Sequence, residues 1–289
     1  MNNRLLWSSL TVLLVLSCAS SPAKKKSSGT GVSGEGADAA PVMVAKIVRV
    51  PVERKASLRF EDGSLDEYTI SEYTEEGYVK RKKRYSASAV LLDQVEYVHS
   101  DSRLDEKRLL DEKGLVKSVT RYGYEGDKLV SERIEDGEGK LLTAFTYEYD
   151  ESGRRVAQRV SNGDGRNLAT TKYQWNATGS LERTELTDST GRLIAYSIFD
   201  YDDQGFLAKQ EYFSADGILL RFEISTHSNG RLVRLARMNF KGVEQFVHSF
   251  EYGDMGELIK KSVDDRLAGA KYSHNYEYTV REEERMVAQ

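Results

Sequence analysis

The sequence predicts an all-β protein: a tandem array of antiparallel β-hairpins, a meander or solenoid-like sheet free to curl, with about 26 residues per two-strand unit. Three observations predict it. An aromatic pair recurs at a fixed spacing. Glycines fall between the pairs at half that spacing. Within the intervening segments apolar residues alternate with period 2 rather than 3.6, the mark of strands.

The aromatic series reads Tyr147/Tyr149, Tyr173/Trp175, Phe199/Tyr201, Ile224/Thr226, Phe250/Tyr252 and Tyr276/Tyr278. Its second members lie 26, 26, 25, 26 and 26 residues apart, and Tyr122/Tyr124 and Tyr97 continue it upstream. Each unit holds two turns of one chemistry. Asp150 to Gly153, Asp188 to Gly191 and Asp202 to Gly205 have the form Asp-x-x-Gly, and Asn opens Asn176 to Gly179 and Asn239 to Gly242. Asp or Asn at a turn start accepts bonds from the backbone ahead of it. The closing glycine takes the left-handed conformation of a tight hairpin, so neighbouring strands are antiparallel. Along the strands, Leu193, Ala195, Ser197, Phe199 and Tyr201 share a face, and so do Leu220, Phe222, Ile224 and Thr226. No proline follows Pro51, as an unbroken ladder requires.

These residues resemble the tyrosine-aspartate (YD) repeats of Rhs-class bacterial proteins, most clearly in Tyr147-Glu148-Tyr149-Asp150-Glu151-Ser152-Gly153 and in Phe199-Asp200-Tyr201-Asp202-Asp203-Gln204-Gly205. The resemblance covers about residues 97–278, with weaker units over 56–96. It implies a sheet that can curl into a spiral shell; separately, no G-x-S-x-G elbow or phosphate loop is found, and no enzyme is expected. The proline-containing closing motif and the toxin of full Rhs proteins are missing from the sequence given, so a toxin-encapsulating role is not expected.

Ahead of the repeats, residues 1–17 form a secretory signal: Arg4, then the apolar stretch Leu5 to Leu16, too short to span a bilayer as a mature helix. Val15-Leu16-Ser17-Cys18 resembles the bacterial lipobox, with Val15 and Leu16 where that pattern has Leu and a small residue. The resemblance implies lipidation of Cys18, the chain's one cysteine. The alternative is an ordinary secretory signal with an incidental cysteine. A polar Ser, Gly, Ala and Lys-rich segment completes a region 18–41 read as lipidated cysteine and tether. Residues 42–280 are then the repeat domain and 281–289 a charged tail. Ala19 and Ser20 lack the acidic residue of inner-membrane retention, which points to an outer-membrane anchor.

Composition narrows the partners. The net charge is −4, with no basic field to hold nucleic acid. His99, His227, His248 and His274 show no metal-ligand spacing, and His227 is expected to cap a turn or to be solvated rather than to act as a ligand. The turn aspartates read as backbone caps rather than calcium ligands, and no cofactor is expected. Tyr147, Tyr149, Tyr173, Trp175, Phe199, Tyr201, Phe250 and Tyr252 are the candidate recognition surface, weighed against a role as the core of the array. A transmembrane barrel is disfavoured by charges such as Lys209, Glu211, Arg221 and Glu223 on the strands. The expectation is a membrane-anchored envelope scaffold for a protein or glycan, with an accessory part in an envelope assembly or secretion machine as the alternative.

Overall fold

The computed structural model describes residues 43–288, so the signal, Cys18 and the tether lie outside the described residues. Residues Ala45–Met286 form one compact unit. Eighteen strands follow one another: β1 (Met43–Phe60), β2 (Leu65–Tyr73), β3 (Val79–Ser86), β4 (Leu91–Ser100), β5 (Arg103–Asp111) and β6 (Val116–Glu125). Then come β7 (Lys128–Asp136), β8 (Leu141–Tyr149), β9 (Arg155–Asn162), β10 (Asn167–Trp175), β11 (Leu181–Asp188) and β12 (Leu193–Tyr201). The last are β13 (Leu207–Ser214), β14 (Leu219–Ser228), β15 (Arg231–Asn239), β16 (Glu244–Tyr252), β17 (Leu258–Asp265) and β18 (Ala270–Ala288). Residues 281–288, expected as a charged tail, continue β18. On one face of this segment Glu283 pairs with both Arg281 and Arg285.

Most hairpins close as their sequence dictates. In the β11–β12 turn the Gly191 N–H donates to the Asp188 carbonyl at 3.0 Å, and the Asp188 N–H donates to the Arg192 carbonyl at 2.9 Å. The Asp188 carboxylate accepts the N–H groups of Thr190 and Arg192 at 2.9 and 3.1 Å, and the Thr190 hydroxyl holds its carboxyl down at about 2. Four hairpins depart from the four-residue form, one of them, Asp265 to Gly269 between β17 and β18, by being a residue longer. Asp101-Ser102, with φ of 47° and 70°, and Asn229-Gly230, with 50° and 74°, make two-residue turns, and Gly126 at 57° opens a third. Positive φ at the centre matches the twist of the flanking strands.

Each strand pairs with the next, and β1 also pairs with β18, which closes the meander into a barrel. Two ion pairs span the seam: Lys55–Glu277 at 3.3 Å and Lys271–Glu61 at 2.9 Å. Six residues separate the partners on each strand and they run in opposite directions, the signature of an antiparallel register. The curl left open by the sequence is therefore resolved as full closure, which removes both edges of the sheet.

Registers sort the side chains into two faces. One carries Tyr147, Tyr173, Phe199 and Phe250, and its mid-strand residues, Arg237 excepted, are buried or half-buried. The other carries the exposed Glu148, Arg159, Lys172 and Glu251. We call the first the enclosed face. Tyr173, Leu181 and Phe199 pack on it as a buried cluster, with Trp175, Tyr201 and Leu207 against them. Ile224 and Thr226 are not on this face, although their spacing matched the aromatic series. Phe199 registers with Gln210 and Gln210 with Glu223, so Ser225 and His227 occupy the aromatic positions in β14. The shorter turn at Asn229-Gly230 removes a residue, and a one-residue slip exchanges the faces.

Candidate functional site

The aromatic series is built into the wall. Seven second-position aromatics each donate to a backbone carbonyl 20 residues upstream, at 2.7–3.0 Å: Tyr73 to Glu53, Tyr124 to Leu104, Tyr149 to Leu129, Trp175 to Arg155, Tyr201 to Leu181, Tyr252 to Leu232 and Tyr278 to Leu258. From Tyr124 onward each acceptor begins a β-bulge: Trp175 opposes Leu181, Gln174 opposes Arg183, and Glu182 is the extra residue. A bulge leaves a carbonyl outside the ladder, and the next even strand supplies its donor. At the other two positions of the series His99 stacks on Tyr78 and His227 on Phe206, with ring centroids 5.3 and 4.9 Å apart. His227 therefore sits within β14, half-buried in an aromatic stack, rather than capping a turn or standing free in solvent. The first-position residues are more deeply placed: Tyr147, Tyr173 and Phe199 are buried, and the Tyr147 hydroxyl donates to Glu132 at 2.6 Å while that of Tyr173 bonds Gln158 at 3.0 Å. Burial and Glu132 push the Tyr147 hydroxyl well above the ordinary phenol range. Of the eight aromatics singled out from sequence, Tyr173, Trp175, Phe199 and Tyr201 meet in the β10–β12 cluster, while Tyr147, Tyr149, Phe250 and Tyr252 lie outside it, Tyr147 buried and the other three half-buried.

Neither face of the wall is suited to lipid. On the exposed face Arg121 bridges Glu106 and Glu135, Arg108 joins Glu106, and Arg159 pairs with Glu148 at 2.5 Å. On the enclosed face Lys82 pairs with Glu53 at 3.0 Å and Arg237 with Glu223 at 2.9 Å. These charges lie along the strands, where a lipid-facing wall needs a continuous apolar band and each Lys or Arg at mid-depth costs about 2–4 kcal/mol.

The apolar surface left in water is concentrated at one end. The turns joining odd to even strands all lie at one rim of the barrel, here called distal; the chain enters in β1 and leaves in β18 at the other rim. Of the 17 exposed large apolar residues among the described residues, 12 lie in or beside the distal turns, among them Leu115 at 63%, Ile218 at 63%, Phe240 at 59% and Leu267 at 65% exposed. Four of the 12, Leu142, Leu168, Ile194 and Leu220, are the extra residues of bulges at the start of β8, β10, β12 and β14. From sequence Leu220 is expected to continue the alternation of Phe222, Ile224 and Thr226; the doubled apolar form of these strand starts, Leu141-Leu142, Leu193-Ile194 and Leu219-Leu220, is the signal in the sequence that marks the rim.

No family model and no curated protein matches the sequence, so the resemblance to YD repeats has no support from sequence comparison. Among solved structures, a porin-like protein from Bacteroides uniformis ATCC 8492 aligns over 78% of this chain and 98% of its own, at 12% identity and a TM-score of 0.43. A porin-like protein from Bacteroides vulgatus ATCC 8482 aligns over 80% and 99%, at 9% identity and a TM-score of 0.32. The Tc holotoxin pore of Photorhabdus luminescens aligns over 70% of this chain and 14% of its own, at 11% identity and a TM-score of 0.29. At such low scores none of these likenesses identifies a relative, and the barrel's own geometry guides the functional reading.

Proposed function

We propose that this chain is a non-enzymatic scaffold of the bacterial envelope, held to the outer membrane by a lipid on Cys18, and that it docks a protein partner on its distal rim. The observation that carries the reading is the concentration of exposed apolar side chains at that rim, opposite the end where the chain enters the barrel. The 12 rim residues leave on the order of 1,000 Å² of apolar surface in water around that rim, and exposed apolar surface gathered in one region marks sites of protein interaction. The nine distal turns carry six acidic and six basic residues, among them Glu61, Asp164, Lys140 and Arg192. Without an excess of Lys or Arg the rim has no electrostatic attraction to anionic lipid, which favours a protein over a bilayer.

Photo-crosslinking side chains at Leu168, Ile194 and Ile218 in cells, with Lys172 and Glu148 as controls on the exposed face, test the reading. Discrete protein adducts from the rim positions alone are expected, and replacing Leu168, Ile194 and Leu220 by Lys should abolish them without loss of folded protein. Rim positions that crosslink only to lipid, or no more than the controls, would overturn it. The mass of the adduct separates a second copy of the chain from a different partner, including a component of an envelope assembly machine. Palmitate labelling that survives Cys18→Ser would remove the anchor from the proposal.

A further inference from the structure

The enclosed face holds a group of basic side chains that the scaffold reading does not use. Lys261 on β17 registers with Phe250 on β16 and with His274 on β18. His248 registers with Val263, two residues along from Lys261, and so sits diagonal to it on the same face, within reach of a long side chain. All three are half-buried.

Among the described residues Lys261 has neither a hydrogen bond nor an ion pair. Burial alone depresses its ammonium, and burial together with Lys261 depresses both imidazoles. The acidic groups facing the row are already held: Glu223, near His248, pairs with Arg237 at 2.9 Å, and Glu67, near His274, pairs with Arg84 at 2.8 Å. By contrast, the adjacent Lys260 on the opposite face has its own partner in Glu251 at 3.2 Å. A cation kept partly out of water without a counter-charge is destabilising, and here one stands between two groups that add charge when protonated.

We propose that Lys261, His248 and His274 form a binding site for an oxyanion of the phosphate or sulfate type on the enclosed face of the barrel. The ammonium supplies a fixed positive charge. The two imidazoles supply ring N–H donors and gain a proton as the anion arrives, because its charge offsets the repulsion from Lys261. Binding is therefore tighter at acid pH, and it takes up protons.

The test follows the histidine ring resonances of the full chain during titration with inorganic phosphate, inorganic sulfate and, as control, chloride at matched ionic strength. Saturable shifts of His248 and His274 with the oxyanions but not with chloride are expected, with the midpoints of both imidazoles moving upward. Lys261→Gln should weaken binding by at least about tenfold, the contribution of a hydrogen bond to a charged group. It removes an unpaired cation, so the variant should melt no lower than the parent. As a measurement on the unaltered protein, phosphate should raise its melting temperature more at pH 6 than at pH 8. Shifts that never saturate, an equal response to chloride, or unchanged affinity in Lys261→Gln would each overturn the site. Rim crosslinking does not depend on it, so failure here leaves the docking proposal standing.

Discussion

The hydroxyl of Tyr201 donates a 3.0 Å hydrogen bond to the carbonyl of Leu181, at the point where β11 bulges away from β10. The bond couples three strands: Leu181 opposes Trp175 on β10, and Tyr201 reaches it from β12. Repeated along the barrel, it makes each unit complete the hydrogen bonding of the one before.

Removing that hydroxyl isolates its contribution. Tyr201→Phe should lower stability by about 1 kcal/mol, the net worth of a single hydrogen bond. Phe199→Ala, which empties a position in the buried cluster of Tyr173, Leu181 and Phe199, should cost about 3–5 kcal/mol. Denaturant unfolding measures both, and equal losses would contradict the assignment of these two aromatics to different roles.

Two glycines in the β9–β10 turn are required for different reasons. A Cβ on Gly163 would stand 2.1 Å from the Leu141 carbonyl oxygen, whereas one on Gly165 would meet nothing within 4 Å, its φ being +78°. Gly163→Asn should therefore cost about 1–3 kcal/mol through backbone displacement. Gly165→Asn should cost less, because Asn tolerates the left-handed conformation. The melting temperatures of the two variants check the order.

Closure rests on β18. A chain ending at Gly269 lacks the partner of β1 and of β17 and exposes two strand edges to other molecules. It should form higher oligomers or aggregate in size-exclusion chromatography, where the full barrel elutes as a discrete species.

Acid should weaken the fold through His248 and His274. Burial, and then the Lys261 charge, lower both below the ordinary histidine value of 6.5. The unfolded chain then takes up protons first as pH falls. Their contribution is complete above about pH 6.5 and is lost as pH drops through the depressed folded-state values, at up to about 1.4 kcal/mol per pH unit for each histidine. Unfolding measured from pH 7.5 to 5 in chloride checks the slope, and His248→Gln should make it shallower.

The sequence by itself determined the strands, the turns and the two-strand unit. Their chemistry is local: Asp188 caps the N–H groups of Thr190 and Arg192 inside one turn, and the alternation through Ala195, Ser197, Phe199 and Tyr201 sets one strand's faces. Spacing misled at Ile224/Thr226, because a turn shortened by one residue exchanges the faces and only pairing with β13 and β15 reveals it. Only the tertiary structure decided that the array closes, since the β1–β18 seam joins residues as far apart as Glu61 and Lys271 and depends on curvature accumulated over every intervening hairpin. It also decided what the tyrosines do and where the exposed leucines collect. A bulge carbonyl becomes an acceptor for Tyr201, and Leu168, Ile194 and Leu220 come to one rim, when neighbouring hairpins stand side by side.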